Sequence, residues 1–250
     1  MIRLPPEFAQ TGLHIHRPHA TPIRRFQVLG ERSSGTNFVK RLLGRNTELQ
    51  PTEALGWKHG FPHMLAIPAD LAVICVVRAP EAWALSMHAK PWHTTPEMQA
   101  LPFSDFIRSP WNTIVDRGRY FSGAEAAGLV GQPLAHDRNP LTGEVFENLF
   151  ALRTAKITAM LGYLNRGVPC IVARMERVQH DPEDFVAAVT DAVGGAQHHP
   201  FRPVVKRLGS KFRAAIPARP ATPGALAPED LAFLRNTLDL TLEHRLGYMR

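Results

Sequence analysis

The sequence predicts an α/β fold, a single domain with a central, mostly parallel sheet flanked by helices, and three observations carry that expectation. Short apolar runs rich in β-branched residues recur along the chain, as at Leu71 to Val77. Segments with apolar residues at helical spacing follow them, and the turn between the first such pair, Gly30 to Gly35, has the composition of a phosphate-cradling loop. In an open sheet of this kind ligands bind beyond the carboxyl ends of the strands.

Residues 1–22 hold four prolines and three histidines without a sustained period, and read as a loosely ordered leader before a domain at 23–250. Phe26 to Leu29 is the first strand, ending at Gly30, and Thr36 to Leu43 is a helix with Phe38, Val39, Leu42 and Leu43 on one face. A second strand is expected at Leu55 to His59. The run Leu71 to Val77 is a third, covered on both faces. Pro80 opens a helix continuing through Glu81 to Lys90, since proline suits a first turn.

Residues 91–143, rich in Pro, Gly and Trp, form an excursion on the substrate side with short helical stretches such as Phe103 to Ile107. Trp92, Trp111 and Tyr120 within it are suited to framing a small-molecule or carbohydrate acceptor. Glu147 to Asn165 is a long amphipathic helix, Pro169 to Ala173 a buried strand, and Asp181-Pro182 the opening of a helix through Val193. A Pro/Ala linker at 217–228 precedes a C-terminal helix, Glu229 to Leu246.

Composition narrows the function classes. The formal net charge of +7 suits an anionic ligand, but the basic residues are dispersed and no basic block interleaved with aromatics suggests nucleic acid. No apolar run is long enough to span a bilayer, and no secretion signal is apparent, so a cytoplasmic protein is expected. Twelve histidines are present, yet none falls with carboxylates or cysteines at ligand spacing, and no metal is expected. Cys75 and Cys170 lie in apolar strand-like runs and read as buried thiols.

The segment GERSSGTNF, Gly30 to Phe38, joins a strand to a helix, where backbone N–H groups and the helix dipole create an anion site. Gly30 and Gly35 reproduce the GxxxxG of a triphosphate-binding loop, but Thr36-Asn37 replace the Lys and Ser/Thr that serve triphosphate chemistry and magnesium. The second signal is VVRAPEAWALSMH, in which Arg78 ends a strand and Ser86 follows eight residues later. A guanidinium and a hydroxyl so placed suit one further phosphate.

Together these segments resemble the sulfotransferases that use 3′-phosphoadenosine 5′-phosphosulfate (PAPS). The resemblance implies that Ser34, Gly35, Thr36 and Asn37 wrap the 5′-phosphosulfate, that Phe38 stacks on adenine, and that Arg78 and Ser86 grip the 3′-phosphate. Ser33 occupies the slot where many members carry a lysine, with Arg32 just before it. Trp57-Lys58-His59-Gly60-Phe61-Pro62 resembles the family's Lys-x-His element without its intervening residue. His59 is favoured as the base that takes the acceptor proton, with His63, Glu31 and Glu53 as alternatives, while Arg32 and Lys58 would stabilise developing charge. Two adjacent strand residues point to opposite faces, so Lys58 and His59 converge only if the strand has already ended. ENLFALRTAKITAML and CIVARMERVQHDPEDFVAAV resemble the family's later elements, and Lys206-Arg207-Leu208-Gly209 its basic loop over the 3′-phosphate. The implied activity is metal-independent transfer of a sulfuryl group to a hydroxyl or amine. A kinase-like enzyme using a triphosphate, and a non-catalytic nucleotide or sulfated-glycan binding protein, are the alternatives.

Overall fold

The structure is a computed structural model that describes residues 3–205 and 212–249. Its regular elements, in order, begin with α1 (Phe8–Thr11), β1 (Leu13–His16), β2 (Arg25–Leu29), α2 (Thr36–Asn46), β3 (Gln50–Pro51) and β4 (Leu71–Val77). The chain continues through α3 (Pro80–Ala89), α4 (Pro96–Gln99), α5 (Phe103–Arg108), α6 (Leu149–Leu161), β5 (Cys170–Arg174), α7 (Met175–His180) and α8 (Pro182–Val193). The last two are α9 (Pro228–Thr237) and α10 (Leu240–Arg245). No helix among the described residues is long and apolar enough to cross a membrane.

The chain divides into two compact units. The first comprises Met1–Ala79, Lys156–Leu208 and Asp239–Arg250 and holds the whole sheet, ordered β1-β5-β4-β2-β3. β2, β3, β4 and β5 run parallel, and β1 closes one edge antiparallel to β5, with Leu13 opposite Ala173. All seven residues of β4 are buried, as a central parallel strand requires. Because successive side chains alternate, Leu71, Val73, Cys75 and Val77 face one core layer with Phe8, Ile157, Met160, Leu242 and Leu246. Ala72, Ile74 and Val76 face the other, with Val39, Leu42 and Leu43 of α2 and Phe185, Val186 and Val189 of α8. Asp181 caps α8 by accepting from the Asp184 N–H at 3.1 Å. Cys75 and Cys170 are free thiols in this core.

Three expectations require correction. The leader carries α1 and β1: Phe8 is fully buried, and the Arg174 guanidinium donates to the carbonyl of Gln10 at 3.1 Å while its N–H donates to that of Gly12. Residues 55–59 form a turn, and the parallel edge strand is the short β3, ended by Pro51. Gly56 takes a φ of +86°, and the Gln27 side chain binds both the Leu55 N–H and the Gly56 carbonyl at 2.8 Å, occupying the backbone groups a strand would present. The C-terminal helix is two helices, because Leu238 is extended and Asp239 caps a new start by accepting from the Leu242 N–H.

The second unit, Pro80–Ala155 and Gly209–Leu238, contains α3, α4, α5 and α9 and no strand among its described residues. His88 of α3 lies edge-on to Phe103 and Phe106, with Nδ1 bonded to Thr222 and Nε2 to the Leu101 carbonyl. Trp111 is core rather than an acceptor-facing ring, 1% exposed with its indole N–H directed to Asp137. Trp92 lies edge-on to Tyr120 and to Phe212 beneath the Arg117 guanidinium. Residues 217–227 carry no helix or strand.

Truncating the middle of β4 removes contacts from the α2/α8 layer. Ile74→Ala is expected to lower stability by about 2–5 kcal/mol, read as a reduced midpoint in urea denaturation.

Candidate functional site

The strand order fixes where a ligand crevice forms. From β2 the chain passes to β3 on one side and then crosses to β4 on the other, so β2 and β4 form the topological switch point of the parallel strands. Two segments leave the sheet there, Gly30 to Gly35 after β2 and Arg78-Ala79 after β4.

The first segment is a tight loop. A Cβ on Gly30 would lie 2.6 Å from both the Ser34 hydroxyl and the Val76 carbonyl, so only glycine admits this contact between loop and sheet. Ser33 (φ 64°) and Gly35 (φ 97°) are left-handed while Ser34 is not. Such alternation curls successive N–H groups toward one concave side. Gly35 occupies the N-cap position of α2 and brings no side-chain cap to its first-turn N–H groups. The Ser34 N–H and hydroxyl both donate to the Glu31 carbonyl, making Ser34 an internal brace of the loop.

The Trp57–Gly60 turn is fastened to this loop at both ends. The Gly30 N–H donates to the Lys58 carbonyl at 3.1 Å, and His59 Nδ1 donates to the Gly30 carbonyl at 2.6 Å. Lys58 Nζ donates to Asn37 Oδ1 at 2.5 Å, in the first turn of α2. Lys156 of α6 reaches the same turn from behind: Nζ donates to the His59 carbonyl at 2.6 Å and stands over the rings of Trp57 and Phe61. Arg32 also lies over Trp57, its guanidinium 5.7 Å from the ring centroid. Glu31, Lys58, His59, Lys156 and Tyr163 line a small cavity beside the loop.

Arg78 completes the cluster by donating from Nη1 to the Ser33 carbonyl at 2.9 Å. Behind it Glu176 accepts from the Ala79 N–H at 2.9 Å and from the Tyr248 hydroxyl at 2.8 Å. Burial pulls the Arg78 guanidinium below its ordinary value, opposed by Glu176 and Tyr248, without neutralising an arginine at physiological pH. Desolvation lowers the Lys58 ammonium, with Glu53 opposing and Lys40 reinforcing. His59 is held well below the usual imidazole range, first by desolvation, then by Lys58, with Arg32 and Lys156 adding to the repulsion against the Gly30 hydrogen bond. The ring is thus neutral, with its proton on Nδ1 and its lone pair on Nε2.

Of the residues singled out from the sequence, Arg32, Ser33, Ser34, Gly35, Thr36, Asn37, Lys58, His59 and Arg78 meet in this one cluster. Because residues 55–59 form a turn, Lys58 and His59 escape the strand alternation that would separate them. Phe38 is half-buried and packs against the α2/α8 core layer. Among the alternative bases, Glu53 pairs with Lys40 at 2.6 Å, His63 holds the Phe61 carbonyl with Nδ1, and Glu31 lines the cavity with His59. Ser86 lies on α3, in the second unit. Lys206 and Arg207 lie outside the described residues. No group of three or more His, Cys, Asp or Glu among the described residues is arranged to hold a metal ion.

Lys156 escaped the sequence reading, although a signal was present. It falls on the buried stripe Leu149, Leu152, Lys156, Met160, Tyr163, where a lysine 7% exposed breaks the apolar pattern. Compared with family models, with curated proteins and with solved structures, the chain matches none.

The depressed imidazole has a thermodynamic consequence. Below the unfolded histidine value of about 6.5 the unfolded chain takes up a proton that folded His59 refuses, so stability falls as pH drops. Urea midpoints measured from pH 7.5 to 5 are expected to decline, and less steeply in His59→Gln.

Proposed function

We propose that this chain is a PAPS-dependent sulfotransferase, transferring a sulfuryl group to a hydroxyl or amine acceptor by in-line displacement without a metal. The observation that carries the reading is the seating of Arg78 on the carbonyl of left-handed Ser33, which joins the two motif segments into one cationic crevice at the switch point. The reading also rests on the likeness of GERSSGTNF and RAPEAWALS to the donor-binding segments of that family.

The residues present suit a donor with two phosphate groups. The concave backbone from Ser33 to Asn37 and the open first turn of α2 fit a 5′-phosphosulfate, and Arg78 suits a 3′-phosphate. Lys58 supplies what the loop itself lacks. Its ammonium, held at Asn37, brings a cation to the phosphate-facing end of α2 although Ser33 fills the expected lysine slot.

When bound, the donor supplies a sulfur centre attached to a phosphate leaving group. His59 Nε2 would accept the acceptor's O–H or N–H proton as its oxygen or nitrogen forms a bond to sulfur and the bond from sulfur to the bridging oxygen breaks. The electron pair of that bond leaves on the phosphate, next to Lys58, Arg32 and the loop N–H groups. The depressed imidazole keeps its lone pair through the working range. A bound polyanion offsets the positive charge of Lys58, Arg32 and Lys156 and so raises His59 toward a proton affinity suited to a general base.

Calorimetric titration with 3′-phosphoadenosine 5′-phosphate, beside ADP and ATP with magnesium, tests the reading. Metal-independent binding of the bisphosphate is expected, weakened about tenfold to a hundredfold in Arg78→Ala, as loss of a charged hydrogen bond implies. Preference for ATP with magnesium, or unchanged affinity in Arg78→Ala, overturns it.

A further inference from the structure

We propose that Lys156 is a positioning residue for His59, holding the imidazole through its carbonyl in the one orientation and tautomer that leave Nε2 able to accept a proton. Its use in turnover rests on the sulfotransferase reading; the lock on the ring does not.

The geometry forms a short relay across elements remote in sequence. Lys156 Nζ donates to the His59 carbonyl at 2.6 Å, and the His59 ring donates from Nδ1 to the Gly30 carbonyl at 2.6 Å. The backbone of His59 is thereby pulled toward α6 while its ring is pulled toward the phosphate loop, which leaves the side chain little rotational freedom. Trp57 reinforces the arrangement, meeting the His59 ring edge-on at 5.3 Å while its own ring lies under the Lys156 ammonium at 5.6 Å. A lysine at a core-stripe position is costly unless its charge is held by carbonyls or aromatic faces. Here the His59 carbonyl and the rings of Trp57 and Phe61, the last at 5.4 Å, supply that environment.

The charge of Lys156 acts in the same direction as its hydrogen bond. The titratable and charged groups facing His59 are Lys58 on its own turn, Arg32 and Glu31 from the phosphate loop, and Lys156 and Tyr163 from α6 and the turn after it. Of the cations, Lys156 alone is delivered by α6 and grips the histidine's own backbone. A protonated imidazole would place a further positive charge in this group, so the ammonium favours the neutral ring.

Histidine-selective ¹⁵N NMR, with the His59 signals assigned through His59→Gln, tests the proposal in the wild type, Lys156→Arg and Lys156→Gln. The wild type should show a neutral ring protonated on Nδ1. Lys156→Gln should show averaged tautomers and protonation at higher pH, and Lys156→Arg should restore the wild-type pattern. A Gln variant with the wild-type tautomer and titration overturns the proposal. Should Lys156→Gln not fold, Lys156→Met keeps the apolar stem against Trp57 and Phe61 and makes the same test. Wild-type Lys156 Nζ protons exchanging as fast as those of exposed lysines also overturn it. Titration of the same proteins with 3′-phosphoadenosine 5′-phosphate separates the two readings. Bisphosphate binding with an unaltered His59 ring sinks only the role of Lys156, whereas an altered ring without bisphosphate binding sinks only the sulfotransferase reading.

Discussion

The site depends on the close approach of Gly30 to its surroundings. This residue has no room for a Cβ, since the Val76 carbonyl and the Ser34 hydroxyl already lie where one would be. Its N–H and its carbonyl are both taken by the Lys58-His59 turn. One glycine therefore sets the loop against β4, closes the loop on its own brace at Ser34, and fixes the turn carrying the candidate base. A larger residue would have to move the strand end or the loop. Either movement would break the spacing between Arg78 and Ser33 and that between His59 and Gly30.

Around this contact the structure gathers Arg32, Lys58, Arg78 and Lys156, and the repulsion among them is tempered in distinct ways. Arg32 and Lys156 lie over the Trp57 ring, Arg78 rests on a carbonyl with Glu176 nearby, and Lys58 is held by an uncharged amide. These arrangements lower the cost of concentrating charge without neutralising it. An anion bound here as proposed would meet cations already oriented and would stabilise the folded chain by mass action.

Strong local patterns were the legible part of the fold. The apolar run of β4 has the bounds expected of it, and Pro80 and Asp181-Pro182 open their helices as the chemistry of proline and capping predicts. The expected strand at 55–59 failed because a side chain, Gln27, took the backbone partners that periodicity assigned to a neighbouring strand. The leader was misread because prolines masked a short edge strand whose stability comes from Ala173 and its neighbours, a tertiary pairing with no local trace. The tight loop between β2 and α2 was legible because glycine spacing and position after a strand are local properties. Lys156 was not, because its partner lies 97 residues away.

The contrast between Ser33 and Lys58 shows what a motif determines. In the loop, residue identity matters most where backbone conformation is at stake. Gly30 and Gly35 are demanded by contact distances and Gly35 also by its φ, whereas position 33 is left-handed and carries a serine. A cation is a less local requirement, because a long flexible side chain can deliver charge from any nearby backbone position. The turn after Gly56 places Lys58 within reach of Asn37, and the segment's failure to form a strand is what frees Lys58 and His59 to approach the same loop. The departure from the strand pattern thus accounts for how a loop with serine at position 33 still has the Lys58 ammonium at its mouth.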